Sequence, residues 1–332
     1  MDVDAFVTAH RADWERLDDL VKRRRRLSGN EIDELVASYQ RTATQLSALR
    51  SAGADPALTA RLSALVARAR ATAVAGAHAS GWRAIGRFFG VTFPLMAYRV
   101  RWWWLGTAVI SVAVMFLVGW WVARSPSVLA NLGTRAQQQN YIHQFRTYYS
   151  AYNGESFGSE VWTHNATLAA EALISGIFLG LPTLFWLWLN AAEVGVAGGL
   201  LVAHGRATEF FSLILPHGML ELSAFFLAAA AGLKLGWSII DPGPRSRSDA
   251  LAEEGRAAIS VALGLIIVLL VSGSLEAFVT PSTLPTWARI LIGGCLAAGF
   301  YAYVLVLGRR ATRAGLSADI EEAPDMVPVS QG

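Results

Sequence analysis

Polar side chains interrupt the longest apolar stretches of the sequence. Six of them lie in or at the ends of these stretches: Glu171, Asn190, Glu193, His217, Glu221 and Glu276. A charged side chain at the centre of a bilayer costs roughly 2.5–3.5 kcal/mol on insertion scales, so each of the six needs a partner or a function. Because His217 and Glu221 are four residues apart, they share one face of a helix. We therefore expect a polar cluster inside a helical bundle, centred on His217, Glu221 and Glu276.

Imidazole and carboxylate groups in such a cluster allow three kinds of chemistry. The side chains can form hydrogen bonds between helices and only stabilise the bundle. They can form a proton site or bind a divalent metal, for which His217, Glu221 and Glu276 are the candidate ligands. They can also line a path for a substrate or an ion, although no inverted repeat is visible. We favour the first interpretation and predict no cofactor, since the His-Glu-x-x-His spacing of many zinc enzymes is absent.

The apolar stretches predict the elements that hold these residues. Of the 332 residues, 54% are hydrophobic and only 16% are charged, against about a quarter in soluble domains. A span across about 30 Å of hydrocarbon needs ~20 residues. Suitable stretches are 103–122, two spans within 165–203 separated at Gly180-Leu181-Pro182, then 217–237, 257–279 and 287–307. The sequence thus predicts an all-α fold: a polytopic transmembrane bundle of about six spans over residues 102–310, with five spans as the alternative.

One break in this pattern concerns the candidate site directly. Pro216 cannot continue a preceding helix without losing a hydrogen bond, which favours a helix that begins near His217. The apolar residues 210–215 would then be either an extension of that span or a short re-entrant segment.

Basic residues near the span ends predict the orientation. They precede the first span, separate the fourth from the fifth and follow the last: Arg83, Arg87, Arg99, Arg101, Lys234, Arg245, Arg247, Arg256, Arg309, Arg310 and Arg313. All three places lie on one side only if the number of spans is even. We expect a multi-pass protein of the cell membrane with both termini in the cytoplasm. Residues 124–162 would form the one substantial exterior loop, and 311–332 a disordered cytoplasmic tail.

The region before the first span divides into two parts. Residues 1–81 predict a cytoplasmic bundle of three helices, of which the third begins at Asp55-Pro56 with Asp55 as its N-cap. Residues 82–101 mix basic and aromatic side chains, which is typical of a helix on an anionic membrane surface. A helix packed on the bundle is the alternative. The candidate contacts with the bilayer are Arg83, Arg87, Arg99, Arg101, Trp82, Trp102, Trp103 and Trp104.

Glycine spacing gives a packing prediction. Three pairs have the small-x-x-x-small spacing that lets helices approach closely: Gly176/Gly180, Gly195/Gly199 and Gly232/Gly236. They predict a tightly packed bundle and are compatible with a homodimer.

Several functional classes lack their sequence signatures. No phosphate-binding loop is present, and the single cysteine, Cys295, excludes a cysteine-based metal site. The net charge of +3 gives no reason to expect nucleic acid as a partner. The sequence favours a protein that is not an enzyme.

Several of these residues also carry a family resemblance. The segment from Pro216-His217-Gly218 to Glu221, followed by an alanine- and glycine-rich stretch, resembles the signature of the stage II sporulation protein M family. Glu276 resembles the glutamate at the end of that family's penultimate span. Asn190-Ala191 departs from the family's usual Asn-Gly. The N-terminal part is similar to the actinobacterial branch of the family.

The resemblance implies a function in broad terms. Members from endospore formers work with peptidoglycan-degrading enzymes as the membrane anchor or scaffold of that complex. By analogy, we expect an integral membrane scaffold whose partners are the lipid bilayer and other membrane or cell-envelope proteins. The alternative is an intramembrane metal-dependent enzyme or cation-coupled transporter that uses His217, Glu221 and Glu276.

Overall fold

The computed structural model describes residues 3–23, 29–52, 55–150 and 154–316. Two compact units, Met1–Phe88 and Phe89–Gly332, divide the chain. The described residues contain helices and no strand, so the predicted all-α fold class is confirmed.

The described part of the first unit contains three helices, as the sequence predicts: α1 Val3–Lys22, α2 Gly29–Ser51 and α3 Pro56–Arg87. Leucines from all three form its core, among them Leu17, Leu35 and Leu62. The Asp55 carboxylate accepts a hydrogen bond from the Ala57 amide (3.0 Å) and so caps α3. α3 continues past residue 81, where the sequence analysis ended this region.

The second unit contains the other helices. Their bounds are α4 Phe93–Arg99, α5 Arg101–Arg124, α6 Pro126–Asn131, α7 Arg135–Ser150, α8 Gly154–Ile174, α9 Leu181–Ala203, α10 Ala207–Ile240, α11 Arg247–Ser274 and α12 Thr286–Arg313. π-Helical turns precede α4 (Phe88–Thr92) and follow α11 (Leu275–Val279), and a short 3₁₀ helix (Ser175–Ile177) follows α8. α9 begins at the predicted break, where Gly180 has a left-handed backbone (φ +77°). α12 extends to Arg313, so the first residues of the tail predicted over 311–332 are helical, and the tail from residue 317 onward lies outside the described residues.

The predicted helix over 82–101 is not a regular α-helix on a membrane surface. The segment contains the end of α3, a π turn, α4 and the start of α5. Phe93 is 1% exposed because its ring fits against Gly264 of α11. Trp104 is also buried and stacks on Tyr301 of α12, with ring centroids 4.8 Å apart. Burial against helices distant in sequence thus removes these aromatic residues from a membrane-surface role.

Five of the described helices, not six, are long and apolar enough to cross a membrane: α5, α9, α10, α11 with its π turn, and α12. The predicted span at the start of 165–203 corresponds to α8, which does not meet this criterion. α8 nevertheless follows the bundle lengthwise. The Leu173 backbone approaches Gly232 of α10, and the Trp162 indole donates a hydrogen bond to the Ile266 carbonyl of α11 (3.2 Å). Among the described helices, α8 and the five apolar helices thus pack alongside one another in the bundle.

Arginine side chains gather at one end of the bundle. Arg99 forms ion pairs with Glu253 (2.8 Å) and Glu254 (3.4 Å) at the start of α11, and Arg245 pairs with the same two carboxylates. Gly308, near the end of α12, lies against α4. The starts of α5 and α11 and the ends of α10 and α12 therefore share one end, which we call the basic end. The other end, where α9 ends and α10 begins, is the α7 end.

The segment 124–162, predicted as a loop, is mostly helical. α6, α7 and the beginning of α8 occupy it. α7 lies on α9 and α10 at the α7 end, where Ile142 packs with Leu201 and Phe210 in a small buried cluster. This segment is consequently a part of the folded bundle rather than an irregular connection.

The predicted glycine pairs form close contacts between helices of the bundle. Gly176 lies against Gly232, and Gly236 lies against the backbone at Gly180, so that α8 and its 3₁₀ extension meet α10 with no side chain between them. In the same way Gly195 and Gly199 of α9 meet α5 at Gly119. Both sets of contacts lie within one chain.

The predicted helix start at Pro216 is wrong. α10 runs without interruption through Pro216, and residues 210–215 are its extension rather than a re-entrant segment. On α12, the missing side chain of Gly293 leaves room for the Pro216 carbonyl. Close packing around the proline therefore accommodates it inside the helix.

Candidate intramembrane polar centre

The structure brings three of the predicted polar residues together. His217 and Glu221 lie one turn apart on α10, and Glu276 approaches them from the end of α11. His217 Nε2 is 3.9 Å from Glu276 Oε2. One nitrogen or oxygen ligand atom from each residue lies within 4.8 Å of the other two. We call these residues, together with Thr280, the polar centre.

A local change in helix geometry aims Glu276 inward. It lies in the π turn Leu275–Val279, which adds a residue to the regular turn. Within this turn Glu276 is 4% exposed, whereas Phe278 is 46% exposed and points away from the bundle. The turn therefore places a carboxylate among the helices and an aromatic ring on the outside. π turns of this kind are frequent at functional sites.

Hydrogen bonds fix the orientation of the imidazole. The Thr280 hydroxyl donates to the Leu275 carbonyl (3.3 Å), so its oxygen accepts from His217 Nδ1 (3.1 Å). The Ser272 hydroxyl donates to the His217 carbonyl (3.2 Å). With the ring proton on Nδ1, the Nε2 lone pair is directed toward the two glutamates.

Glu221 lacks a complete set of partners. Its Oε2 atom is buried and has no hydrogen-bond partner among the described residues. A buried carboxylate oxygen without a partner is destabilising. This atom therefore marks the polar centre as a place where a further positively charged or hydrogen-bonding group fits.

Helix α7 covers the polar centre. The Tyr149 ring stacks on the His217 ring, with centroids 5.4 Å apart and planes at 19°. Burial raises the pKa of Tyr148 to about 12, and burial, followed by the negative charges of Glu276 and Glu221, raises the pKa of Tyr149. Both phenols therefore keep their protons at neutral pH and can act as hydrogen-bond donors.

The polar centre lies toward the α7 end. His217 is 23 residues before Ile240, which is about 35 Å along a helix. It is only 10 residues after Ala207, where α10 begins. The centre is consequently nearer the α7 end of the bundle than the basic end.

The other predicted members of the cluster lie elsewhere. Glu171 on α8 and Glu193 on α9 are exposed, and Asn190 is half-buried with its Oδ1 unpartnered among the described residues. The sequence analysis missed Thr280, Ser272 and Tyr149. Thr280 could have been found from its place four residues after Glu276, whereas nothing in the sequence connects Tyr149 with His217.

The predicted bilayer contacts also separate into different environments. Trp82, Arg87 and Trp102 are exposed, Trp104 is buried, and Trp103 lies beside Trp237 with ring centroids 6.0 Å apart. Of the remaining residues, Arg99 forms ion pairs, Arg101 lies over the ring of Tyr98 (4.2 Å), and the Arg83 side chain lies outside the described part of the structure.

Comparison with known protein families shows to which family the chain belongs. The family described as Stage II sporulation protein M matches residues 108–281, just over half of the chain. The chain belongs to the stage II sporulation protein M family. All four residues of the polar centre lie within the part that matches this family. A second family, described as Domain of unknown function (DUF8413), matches residues 4–74 in the N-terminal helices.

Single relatives of this stage II sporulation protein M family member add little about function. The uncharacterized protein MJ0793 of Methanocaldococcus jannaschii is 28% identical over 123 residues, which is 36% of this chain and 69% of the relative. No solved structure matches the chain significantly. The family match and the five apolar helices together identify a membrane protein of this family.

Proposed function

We propose that this protein is a scaffold of the cell envelope, embedded in the cell membrane, that holds a partner protein at its exterior side. One observation carries the proposal: α7 is attached to the bundle by buried side chains yet exposes an aromatic and polar surface. Ile142 is 1% exposed and packs into the bundle, whereas Tyr141 and Tyr148 are 42% and 48% exposed. A surface that is held rigidly binds a partner with little loss of conformational entropy.

The charge distribution supports an orientation for this scaffold. Arg99, Arg245 and Arg309 lie at or beside the basic end, and the side of a membrane protein with more Lys and Arg is usually cytoplasmic. Six passes return the chain to the side on which it entered. In this orientation both termini are cytoplasmic and α7 is exterior, where enzymes that act on peptidoglycan are found.

The partner is tested by photo-crosslinking in native membranes. A photoreactive amino acid replaces Gln139 or Gln144, which are exposed on α7, and Leu117, which is 64% exposed on α5, is the matched position facing lipid. We expect a covalent adduct with a cell-envelope protein from α7 and none from Leu117. Protein adducts that are equally abundant from both positions, or absent from α7, would contradict the scaffold proposal.

The orientation is tested separately with reporter fusions. Alkaline phosphatase, which is active only outside the cytoplasm, is inserted after Leu132 or fused after Arg313. We expect activity from the first fusion and none from the second. The opposite pattern would reverse the orientation, and activity from both would contradict six passes.

A further inference from the structure

We propose that the polar centre binds one divalent transition-metal ion of the zinc class through His217 Nε2 and one carboxylate oxygen each from Glu221 and Glu276. The proposal stands on the geometry of the three side chains and is independent of the scaffold role. It assigns a specific ligand to residues that could otherwise serve only as structural hydrogen-bonding groups.

The distances suit a small cation. Zinc binds histidine nitrogen and carboxylate oxygen at about 2.0–2.2 Å, which separates neighbouring ligands by about 3.4 Å in a tetrahedral arrangement. The three candidate atoms lie within 4.8 Å of one another, and His217 Nε2 is 3.9 Å from Glu276 Oε2. Rotation about the glutamate side-chain bonds is sufficient to close the difference, because the backbones of α10 and α11 already hold the residues side by side.

The imidazole of His217 already has the orientation and the tautomer that metal binding needs. A metal-binding histidine usually donates its other ring N–H to an oxygen, which fixes the ring and its tautomer. Thr280 supplies that oxygen to Nδ1 at 3.1 Å, and its own proton is engaged by the Leu275 carbonyl. Nε2 is therefore the ligand atom, and it faces the glutamates.

The charge of the site favours a cation. Among the described residues, neither Glu221 nor Glu276 forms an ion pair with lysine or arginine, and the two carboxylates lie close to each other and to His217. Glu221 Oε2 is buried without a partner in the described structure. A divalent ion would compensate both carboxylates and provide the missing partner of Glu221, which removes the cost of an unpaired buried acid.

The donor set selects the class of metal. Imidazole together with carboxylates suits zinc, manganese and iron, whereas magnesium and calcium prefer sites made of oxygen alone. Three protein ligands also leave a coordination position open, as in catalytic zinc sites. The Tyr149 ring of α7 covers the imidazole, so the site lies at the α7 end of the bundle.

Elemental analysis tests the proposal directly. The full chain is purified in mild detergent, treated with a chelator, incubated with zinc chloride, desalted and analysed by mass spectrometry. We expect about one zinc per chain in the parent and less than about a tenth of that in Glu221→Gln and Glu276→Gln. Glu171→Gln and Glu193→Gln, which remove the same charge from exposed positions, should keep the parent's content.

A second kind of variant distinguishes loss of metal binding from loss of folding. Thr280→Val keeps the shape of the side chain and all three ligands but removes the oxygen that receives Nδ1–H. Loss of such a group typically weakens metal binding 10- to 100-fold, and we expect this loss in a zinc titration. Magnesium in large excess should not displace the zinc.

The opposite results would overturn the proposal. A parent with no more zinc than Glu221→Gln, or glutamine variants that retain zinc, would show that the centre is only structural. Unchanged zinc affinity in Thr280→Val would exclude His217 Nε2 as the ligand positioned by Thr280. Displacement by magnesium would assign the site to hard cations instead.

Discussion

The two halves of α10 contact the neighbouring helices in different ways. From Ser223 to Gly232 every residue is buried, and the sequence consists mainly of alanine, glycine and phenylalanine. From Ala207 to Glu221 the helix carries a proline, a histidine and two glutamates. The half from Ser223 to Gly232 packs directly against the backbone of α8, whereas the half from Ala207 to Glu221 brings polar side chains beside Glu276 of α11.

The residues that stabilise the bundle and the residues that could bind a ligand therefore lie in different halves of α10. In the packed half, α5 donates hydrogen bonds to α10 carbonyls, from the Trp104 indole to Ser223 (2.9 Å) and from the Thr107 hydroxyl to Phe226 (3.1 Å). In the polar half, Glu221 Oε2 is buried without a described partner. We therefore expect mutations in the packed half to affect folding and mutations in the polar half to affect ligand binding.

The largest effect is expected for Gly232→Ala in the packed half. A Cβ atom at residue 232 would lie 2.7 Å from the Ala172 carbonyl oxygen and 2.8 Å from that of Leu173. Backbone atoms cannot move aside as a flexible side chain can, so we expect a destabilisation of about 3 kcal/mol, at the upper end for overpacked cores. Thermal unfolding in detergent measures it. Gly299→Ala on α12, where a Cβ meets nothing within 4 Å, is the control and should be neutral or slightly stabilising.

An intermediate effect is expected for Thr107→Val, which preserves shape and removes the hydroxyl. The Thr107 hydroxyl is shared between the carbonyls of Trp104 (2.9 Å) and Phe226 (3.1 Å). Both carbonyl groups remain in their helices after the substitution. We therefore expect the free energy of unfolding to fall by about 1 kcal/mol, which is typical of one buried hydrogen bond. The same unfolding assay measures it. A loss as large as that of Gly232→Ala would show that polar contacts, not close packing, determine the stability of this half.

The smallest effect on stability is expected for Glu221→Gln in the metal-free protein. The substitution replaces a half-buried carboxylate, whose Oε2 atom is buried, by a neutral group of similar size, so we expect a change within about 0.5 kcal/mol, or a slight gain. Zinc should raise the unfolding temperature of the parent and leave that of this variant unchanged. Strong destabilisation of the metal-free variant would remove the contrast between the two halves and support a structural role for Glu221.

Much of this architecture follows from local sequence. Apolar stretches, the Asp55 cap, the break at Gly180 and the glycine pairs are each recognisable within a few residues, because hydropathy, capping and close approach depend on neighbours in the chain. The same holds for the family resemblance around Pro216 to Glu221, which the family match confirms.

The helix count and the polar centre depended on distant residues. Hydropathy alone could not place α8 in the bundle, because its composition is too polar to identify it as a membrane span. Its contacts with α10 and α11 position it instead. The sequence named six polar residues, but only helix directions and the π turn at Glu276 determined that three of them meet.

What the sequence by itself determined is an all-α membrane protein of this family with His217, Glu221 and Glu276 as its most informative residues. Only the tertiary structure placed Thr280 on the imidazole and Tyr149 over it, and moved the centre toward the α7 end. The physical reason is that the surroundings of a buried polar group come from helices far apart in the chain. Local patterns specify which residues require partners, and the packing of the helices selects the partners.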